Sequence, residues 1–261
     1  MVPVSRGTHA GQLWRRLASY AFSARESYVP ICGGEFGRIA ATMPFAFIDF
    51  AGELVPVALL SLTPGVNLFV GPDGRWVGSY IPLLLRCYPF RLFRASDTNQ
   101  YSLCVDAEAD SCSDSAAATE LFYDAEGNLA PATKAVFDAL VQFEQNRLAT
   151  LRAVAALVEA GVVCPWAVKI EDGDREKTLA RLHRVDEKAL GDVGDDVFLR
   201  LRKAGAIAIA YAQLLSMAQL TVLSQLSDLR RRINQVTSAA APQPAPGGSF
   251  EMVDSDMLRF D

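Results

Sequence analysis

The stretch FAFIDFAGELVPVALLSL (residues 45–62) decides the fold, because it holds two dense runs of strand-forming residues, FAFIDF and ELVPVALLSL. Their Phe, Ile, Val and Leu side chains favour a pleated, half-buried surface. The next run, NLFVGPDGRWVGSYI (residues 67–81), carries Asp73-Gly74 between two apolar segments. Asp-Gly is a strong hairpin signal, since Gly tolerates the positive φ of a tight turn. Together with QYSLCVD (residues 100–106), these runs predict a β-rich N-terminal half with hairpins.

The second half of the chain changes to a helical period. Apolar residues recur at three- and four-residue spacing between Pro131, which suits a first helical turn, and Gly161, which suits a C-terminal stop. VVCPWAVKIE (residues 162–171) favours a returning strand, residues 195–203 a short helix, and the chain from Gly205 to about Asn234 a longer one. The sequence therefore predicts an α+β fold, in which the β-rich N-terminal half packs against long helices from the C-terminal half.

The last of these helices raises the question of a membrane span. Residues 204–226 carry no charge over 23 positions, and an Arg cluster follows at residues 230–232. Length and flanking charge both match the outline of a transmembrane helix. Gln213, Gln219 and Gln225 oppose that interpretation, because each amide is costly in lipid when it lacks a partner. A buried helix with a polar edge explains the segment better than a span.

The C-terminus differs in character from the predicted domain, residues 1–236. Residues 237–249 (TSAAAPQPAPGGS) form an Ala/Pro/Gly linker that resists packing and favours a flexible connection. The last twelve residues mix apolar side chains with four acids and resemble a docking peptide for a protein partner. The candidate partner-binding residues are Phe250, Met252, Val253, Met257, Leu258 and Phe260. The alternative is a tail that folds back on its own domain or has no role.

Charge and cysteine content restrict the partners and the compartment. A formal charge of -5 with dispersed Lys and Arg argues against a nucleic-acid partner, which usually faces a basic stripe. The five cysteines are odd in number and include no C-x-x-C pair, which favours reduced thiols in a cytoplasmic protein. A pair between Cys104 and Cys112 is the alternative. The N-terminus lacks the continuous apolar region of a signal peptide, which also favours the cytoplasm.

No set of residues in the sequence points to catalysis, a cofactor or a metal. The chain has two histidines, His9 and His183, too few for a three-His zinc site. GGEFG (residues 33–37) falls short of a nucleotide-binding glycine motif. Two acid pairs, Glu35 with Asp49 and Asp195 with Asp196, and His183 beside Asp186, are the acid–base alternatives. The sequence favours a protein that is not an enzyme, without cofactor or metal, and leaves the enzyme alternative open.

The stretch SYIPLLLRCYPFRLF (residues 79–93) combines many apolar side chains with two prolines and two arginines. Pro82 and Pro89 are expected to end regular elements, and LLLRCY between them to form one or two helical turns. The aromatic residues are expected to be buried as a packing hub. A ligand pocket lined by the same aromatics is the alternative, and its residues are Tyr80, Tyr88, Phe90 and Phe93.

The central run VPVALLSLTPGVNLFVGPDGRWVGSYIPLLLRCYPFRL (residues 55–92) resembles the signature of the SapC family of bacterial surface-layer-associated proteins. Flanking stretches agree with it: PVSRGTHAG and VPICGGEF before it, LCVDAEA and LFYDAEGNLAP after it, and FLRLRKAGAIAIAYAQLLSMAQL towards the end. The resemblance covers residues 4–226. It implies an accessory or assembly protein related to bacterial surface-layer or envelope systems, and a surface association.

The first hypothesis for function is therefore a non-enzymatic binding or assembly protein of the SapC type. It would bind a protein partner, with the tail as an added contact and a homo-oligomer as a further option. The second hypothesis is a cytoplasmic accessory or catalytic component of a system that modifies proteins or peptides.

Overall fold

The computed structural model describes residues 1–94, 101–109, 118–172, 175–179 and 181–240, with side chains described over 1–94, 101–109, 118–168 and 181–236. Its strands are β1 (Val2–Pro3), β2 (Leu13–Trp14), β3 (Tyr28–Pro30), β4 (Phe45–Phe50), β5 (Glu53–Leu59), β6 (Phe90–Arg94), β7 (Tyr101–Val105), β8 (Glu120–Leu121), β9 (Val163–Pro165), β10 (Val168–Asp172), β11 (Arg175–Leu179) and β12 (Leu182–Val185). Its helices are α1 (Arg6–His9), α2 (Phe36–Ala40), α3 (Leu83–Arg86), α4 (Pro131–Glu159), α5 (Glu187–Gly191), α6 (Asp195–Lys203), α7 (Ala206–Ser216) and α8 (Leu220–Ala240), with 3₁₀ turns at Ala21–Ser23 and Met217–Gln219.

The main sheet is antiparallel and has the strand order β3-β5-β4-β12-β9. Its centre is the β4–β5 hairpin, in which Ile48 lies opposite Val55. The hairpin turns at Ala51 and Gly52, which both have positive φ, and the Asp49 carboxylate accepts a hydrogen bond from the Gly52 N–H at 2.8 Å. The two strand runs that opened the sequence therefore form the middle of the sheet.

A second sheet, β1-β7-β6, lies under the N-terminal half of α4. Two further pairs of strands, β2–β8 and β10–β11, are separate from it. The turn at Gly74 forms as predicted, with a φ of 78° and a hydrogen bond from the Gly71 N–H to the Arg75 carbonyl at 2.8 Å. The expected strands beside it do not form, because the flanking segments meet in a single bridge between Val70 and Trp76.

Two clusters of buried side chains form the core. The larger lies between the main sheet and helices α2, α4 and α7, and it includes Phe45, Phe47, Ile39, Val154 and Leu157. The smaller one packs the second sheet on α4 and includes Trp14, Phe90, Phe122 and Leu140. Helix α4 contributes to both clusters, so it joins the β-rich half to the helical half. The predicted α+β fold is confirmed.

The predicted ends of several helices agree with the structure. Helix α4 has Pro131 in its first turn, and Gly161 follows its end with a φ of 70°. Helix α6 covers Asp195–Lys203 as predicted, and α3 is the single helical turn expected after Pro82. The linker predicted at residues 237–249 begins inside α8, which continues to Ala240. The rest of the linker and the tail residues Phe250, Met252, Val253, Met257, Leu258 and Phe260 lie outside the described residues.

The expected single helix after Gly205 is two helices, α7 and α8, joined by a 3₁₀ turn. Ser216 explains the break, because its hydroxyl donates to the backbone carbonyl of Gln213 at 2.7 Å and accepts from the Phe45 N–H at 3.2 Å. A hydroxyl bonded back to the preceding turn disturbs the helical ladder. The run Ala206–Val236 is long enough to cross a membrane and contains an 18-residue window that is apolar enough, of which 33% is buried inside the protein. Core helices of soluble proteins meet the same criterion.

Candidate functional site

The four aromatic residues of the predicted pocket have different neighbours. Phe90 is fully buried beside Trp14. Tyr88 stacks on Phe22, with the ring centroids 3.8 Å apart, and its hydroxyl bonds to Asp106. The expected burial of Phe93 is wrong, because its side chain is 51% exposed on β6. Side chains alternate along a strand, so the buried Phe90 places Phe93, three residues later, on the opposite face.

The fourth aromatic residue, Tyr80, belongs to a polar cluster built around Glu35. The Glu35 side chain is only 5% exposed. Its Oε1 atom accepts two hydrogen bonds, from the Tyr80 hydroxyl at 2.8 Å and from the Leu83 N–H at 2.7 Å. Leu83 is the first residue of α3, and its N–H has no partner within the helix. Glu35, which itself precedes the first turn of α2, therefore caps a second helix 48 residues away.

Burial dominates the electrostatics of this cluster. Desolvation raises the pKa of Glu35 above its ordinary value, while the hydrogen bonds from Leu83 and Tyr80 and the charge of Arg86 oppose the rise. Desolvation and the nearby Glu35 carboxylate raise the pKa of Tyr80 to about 12. The Glu35 Oε2 atom is buried and has no hydrogen-bond partner among the described residues. A carboxyl group in this setting can hold a proton at a pH where exposed glutamates are ionised.

Two cations lie at the outer side of the cluster. The guanidinium carbons of Arg86 and Arg38 lie 5.6 Å and 5.8 Å from the centroid of the Tyr80 ring. Arg86 also donates to the Tyr80 hydroxyl at 3.5 Å and to the Ile81 carbonyl at 3.0 Å. Both arginines contact the Tyr80 ring, and the Tyr80 hydroxyl donates to Glu35, so two positive charges lie near this buried carboxyl group. This arrangement can retain or release a proton, and it joins α2 to α3.

The glycines before Glu35 fasten this cluster to α4. The Gly33 N–H donates to Thr150 Oγ1 at 2.9 Å, and the Cys32 thiol donates to the Phe143 carbonyl at 3.6 Å. At Gly34 an added Cβ would lie 3.3 Å from the Asn146 amide nitrogen. GGEFG is therefore a segment packed on a helix. No local pattern in the sequence marked Glu35 as the centre of this cluster, because its partners come from residues 80–86.

Four of the five cysteines are described, and Cys32, Cys87, Cys104 and Cys164 are free thiols. Desolvation and the Glu35 charge raise the pKa of Cys32 to about 12. Desolvation raises the pKa of Cys87 to about 11, against the charge of Arg86. Both thiols are therefore protonated at neutral pH and weak nucleophiles. Cys112, the alternative partner of Cys104, lies outside the described residues.

The other predicted acid–base residues have structural contacts. Asp49 bonds to the hairpin turn, and Asp195 and Asp196 occupy the first turn of α6. Asp186, expected beside His183 as a catalytic pair, accepts from the Ala189 N–H at 3.0 Å and caps α5. Among the described residues, no group of three or more His, Cys, Asp or Glu side chains is placed to hold a metal ion.

A groove of about 540 Å³ lies beside the second sheet, and no motif in the sequence indicated it. Its walls come from four separate segments of the chain, and they include Arg6, Tyr101, Tyr123, Lys134 and Asp138. Lys134 and Asp138 form an ion pair at 2.6 Å on the first turns of α4. The groove is broad and mixed in polarity, and it presents both charges of a pair rather than one sign of charge.

Helix α8 carries an exposed apolar surface. Val222, Leu226, Leu229, Ile233 and Val236 follow spacings of four and three residues, and we call them the α8 stripe. Leu229 is 52% exposed and Val236 70% exposed, whereas Ile233 is half-buried and Val222 and Leu226 are half-buried against the larger cluster. The body holds α8 at positions beside the stripe, through the buried Leu223 and a hydrogen bond from Arg230 to the Val70 carbonyl at 2.9 Å. The 4-3-4-3 spacing is visible in the sequence and is the signal that would have identified this surface.

Comparison with known proteins identifies the family of this chain. A family model described as SapC matches residues 4–223. No curated protein and no solved structure matches the chain. The matched residues include the main sheet, strands β6 and β7 of the second sheet, both buried clusters, the Glu35 cluster and α8 as far as Leu223. Since the match covers most of the sequence, the chain belongs to the SapC family.

Proposed function

We propose that this protein is a non-enzymatic binding protein that assists the assembly of a bacterial surface-layer or envelope protein system. It binds a protein partner through the α8 stripe, and the tail residues 250–261 provide a second contact. The observation that carries the proposal is the exposure of Leu229 and Val236 on a helix that Leu223 and Arg230 fix to the body. Spaced apolar residues on an exposed helix are a usual docking surface for another helix.

Charge and family membership support the same proposal. Three arginines follow one another at residues 230–232, so a partner with acidic side chains beside its apolar contact residues would be favoured. The SapC match agrees with an accessory role at the surface layer, as the resemblance to that family implies. Nucleic acid is not among the proposed partners, and a second copy of this chain is an alternative occupant.

The partner surface can be tested by photo-crosslinking in native cells. A photoreactive amino acid at Leu229 should cross-link one protein, while the same group at Leu121, an apolar residue 43% exposed on β8, should not. The captured protein is then purified and its affinity measured directly. We expect Leu229→Asp to weaken binding about tenfold or more, since a charge replaces a buried apolar contact, and Leu121→Asp to leave it unchanged. Equal effects at both positions would refute the proposed surface.

The cellular location needs a separate experiment. Native cells are divided into cytosol, membrane and surface extract, and protease is added outside intact cells. Protein in the surface extract that is sensitive to external protease supports a component of the surface layer. Protein that is confined to the cytosol and protected from protease would contradict a role at the surface and favour an intracellular partner.

The Glu35 cluster favours a second candidate function, an accessory or catalytic component of a cytoplasmic system that modifies proteins or peptides. Perturbed carboxyl groups often mark functional sites, and Glu35 has a buried oxygen to which no described residue donates a hydrogen bond. A ligand at this cluster should raise the melting temperature of the wild type and not that of Glu35→Gln. A screen of metals, nucleotides and cofactors that raises neither would contradict this candidate.

A further inference from the structure

The projecting half of α8 has the repeat of a two-helix contact. Val222, Leu229 and Val236 recur every seven residues, with Leu226 and Ile233 between them. Apolar residues that alternate at four and three positions form the seam along which two helices pack. After Leu223 no described side chain of α8 is fully buried: Leu226 packs against the larger cluster, Ile233 is half-buried, and Leu229 and Val236 are 52% and 70% exposed. The body of the protein therefore leaves the seam uncovered at Leu229 and Val236.

The charges beside the seam restrict what can cover it. Arg230 and Arg232 lie next to the apolar seam, where charges select the partner of a helix. Arg230 donates to the Val70 carbonyl, so the exposed Arg232 is the cation that faces an occupant. A second copy of α8 would bring arginines against arginines. The like charges of a symmetric pair oppose its formation. An occupant with acidic residues beside its own apolar seam fits better.

The end of this same chain has that pattern. Phe250, Val253, Met257 and Phe260 are separated by three, four and three residues, which is the spacing of the α8 stripe. The positions beside this second seam are Asp254, Asp256 and Asp261. The two seams therefore match in period and are opposite in charge. In an antiparallel pair, flanking positions of the same kind face each other, which places Asp256 opposite Arg232.

The connecting chain is long enough for this contact. Nine residues, 241–249, separate the end of α8 from Phe250. An extended chain of that length spans up to about 30 Å, whereas the axes of packed helices are only about 8–10 Å apart. Pro242 cannot continue the helix, and Gly247 and Gly248 permit the chain to reverse. As a helix, the segment from Phe250 to Phe260 would be about 15 Å long, enough to cover α8 from Leu229 to Val236.

We infer that residues 250–261 dock antiparallel on the α8 stripe of their own chain and cover it until a partner displaces them. A short linker holds the tail at an effective concentration in the millimolar range, which favours this contact over one with a second copy. The partner's role in this inference rests on the proposed function, but the contact itself needs no partner. Docking of the tail therefore regulates the access of a partner to the α8 stripe.

The test is hydrogen exchange of α8 in the purified full chain with no partner present. A tail that is docked nine-tenths of the time slows exchange of the covered amides about tenfold. We expect Met257→Asp, which places a charge in the seam, to remove this protection over residues 226–240. Ser255→Asp is the matched control, because it adds the same charge on the side of the tail away from the seam, and it should retain the protection.

Charge-reversal variants test the antiparallel register of the tail on α8. Arg232→Glu should weaken the protection, and Asp256→Lys in the same chain should restore it. Protection that is equal in the full chain and in a chain lacking residues 250–261 would overturn the inference. Protection that disappears on dilution would overturn it as well, since it would assign the contact to a second copy. Because no partner is present, either result leaves the cross-linking test of the proposed function unaffected.

Discussion

Glu35 joins two helices that are far apart in the sequence, through a carboxyl group that is almost completely buried. Its Oε1 atom accepts from the first N–H of α3 and from the Tyr80 hydroxyl, while Oε2 has no partner within the part of the chain that the structure describes. The neutral form avoids the cost of burying a charge, so the fold favours the protonated state. As a consequence, the unfolding free energy depends on pH.

The direction of that dependence follows from the raised pKa of Glu35. Between its ordinary value of 4.5 and the higher pKa in the fold, the folded chain binds more protons than the unfolded chain. The stability that protonated Glu35 contributes is therefore complete below about pH 4.5 and is lost as the pH rises through the folded pKa. Each unit of increase in pKa changes the unfolding free energy by about 1.4 kcal/mol over this interval.

We expect Glu35→Gln to remove this contribution to the pH dependence, because the amide keeps an acceptor for Leu83 and does not titrate. The measurement is the unfolding free energy by denaturant titration at a series of pH values from 4.5 upward. Glu26→Gln, at an exposed position, is the control and should retain the wild-type pH profile. A wild-type profile in Glu35→Gln would show that another group is responsible.

At the scale of the element, Gln213 explains how α7 holds the main sheet. Its side chain is fully buried. The Gln213 Oε1 atom accepts from the Val185 N–H at 3.0 Å, and its amide donates to the Phe45 carbonyl at 3.1 Å. One side chain thus connects α7 with β12 and β4. The amide that counted against a membrane span in the sequence is satisfied by the backbone of the protein itself.

We expect Gln213→Leu to lower the unfolding free energy by about 2–4 kcal/mol, because two buried backbone groups lose their partners. Gln225→Leu makes the same change on the exposed side of α8 and should alter stability by about 0.5 kcal/mol or less. Chemical denaturation followed by circular dichroism measures both. Similar losses in the two variants would indicate that the hydrogen bonds of Gln213 are not the cause.

Residue types within a segment predicted the helices and strands, whereas contacts between distant segments determined the helix break and the partners of buried polar side chains. Pro131 and Gly161 bounded α4 correctly, since proline and glycine act through their own φ angles. The break at Ser216 depends on a bond to Phe45, 171 residues away, and Glu35 finds its partners 45 and 48 residues away. Neither could be predicted without the fold. Phe93 was misplaced because a dense apolar run does not reveal which face of the strand is buried.

At the scale of the whole molecule, α4 connects the two buried clusters into one unit. Leu140 lies in the smaller cluster and Leu157 in the larger, on the same continuous helix. Leu84 packs against both clusters. Disruption of one cluster should therefore weaken the other, and we expect the body to unfold in a single cooperative transition.

Leu140→Ala and Leu157→Ala should each lower the unfolding free energy by about 2–5 kcal/mol and shift the same transition. Leu148→Ala, at a position 40% exposed on α4, is the control and should change stability much less. Trp76 and Trp166 pack against the larger cluster, so both are replaced by Phe in all variants, and Trp14 then reports from the smaller cluster. Its fluorescence is compared with circular dichroism of the whole chain. Two separated transitions in either leucine variant would mean that the clusters unfold independently.

Leu223 is the last residue of α8 that is buried among those whose side chains are described, and the family match also ends at residue 223. Packing restricts substitutions before this point, since a changed core side chain costs stability throughout the body. After it, a substitution changes the surface at little cost to the fold. The surface of this extension can therefore be changed by substitution while the body serves as an unchanged platform.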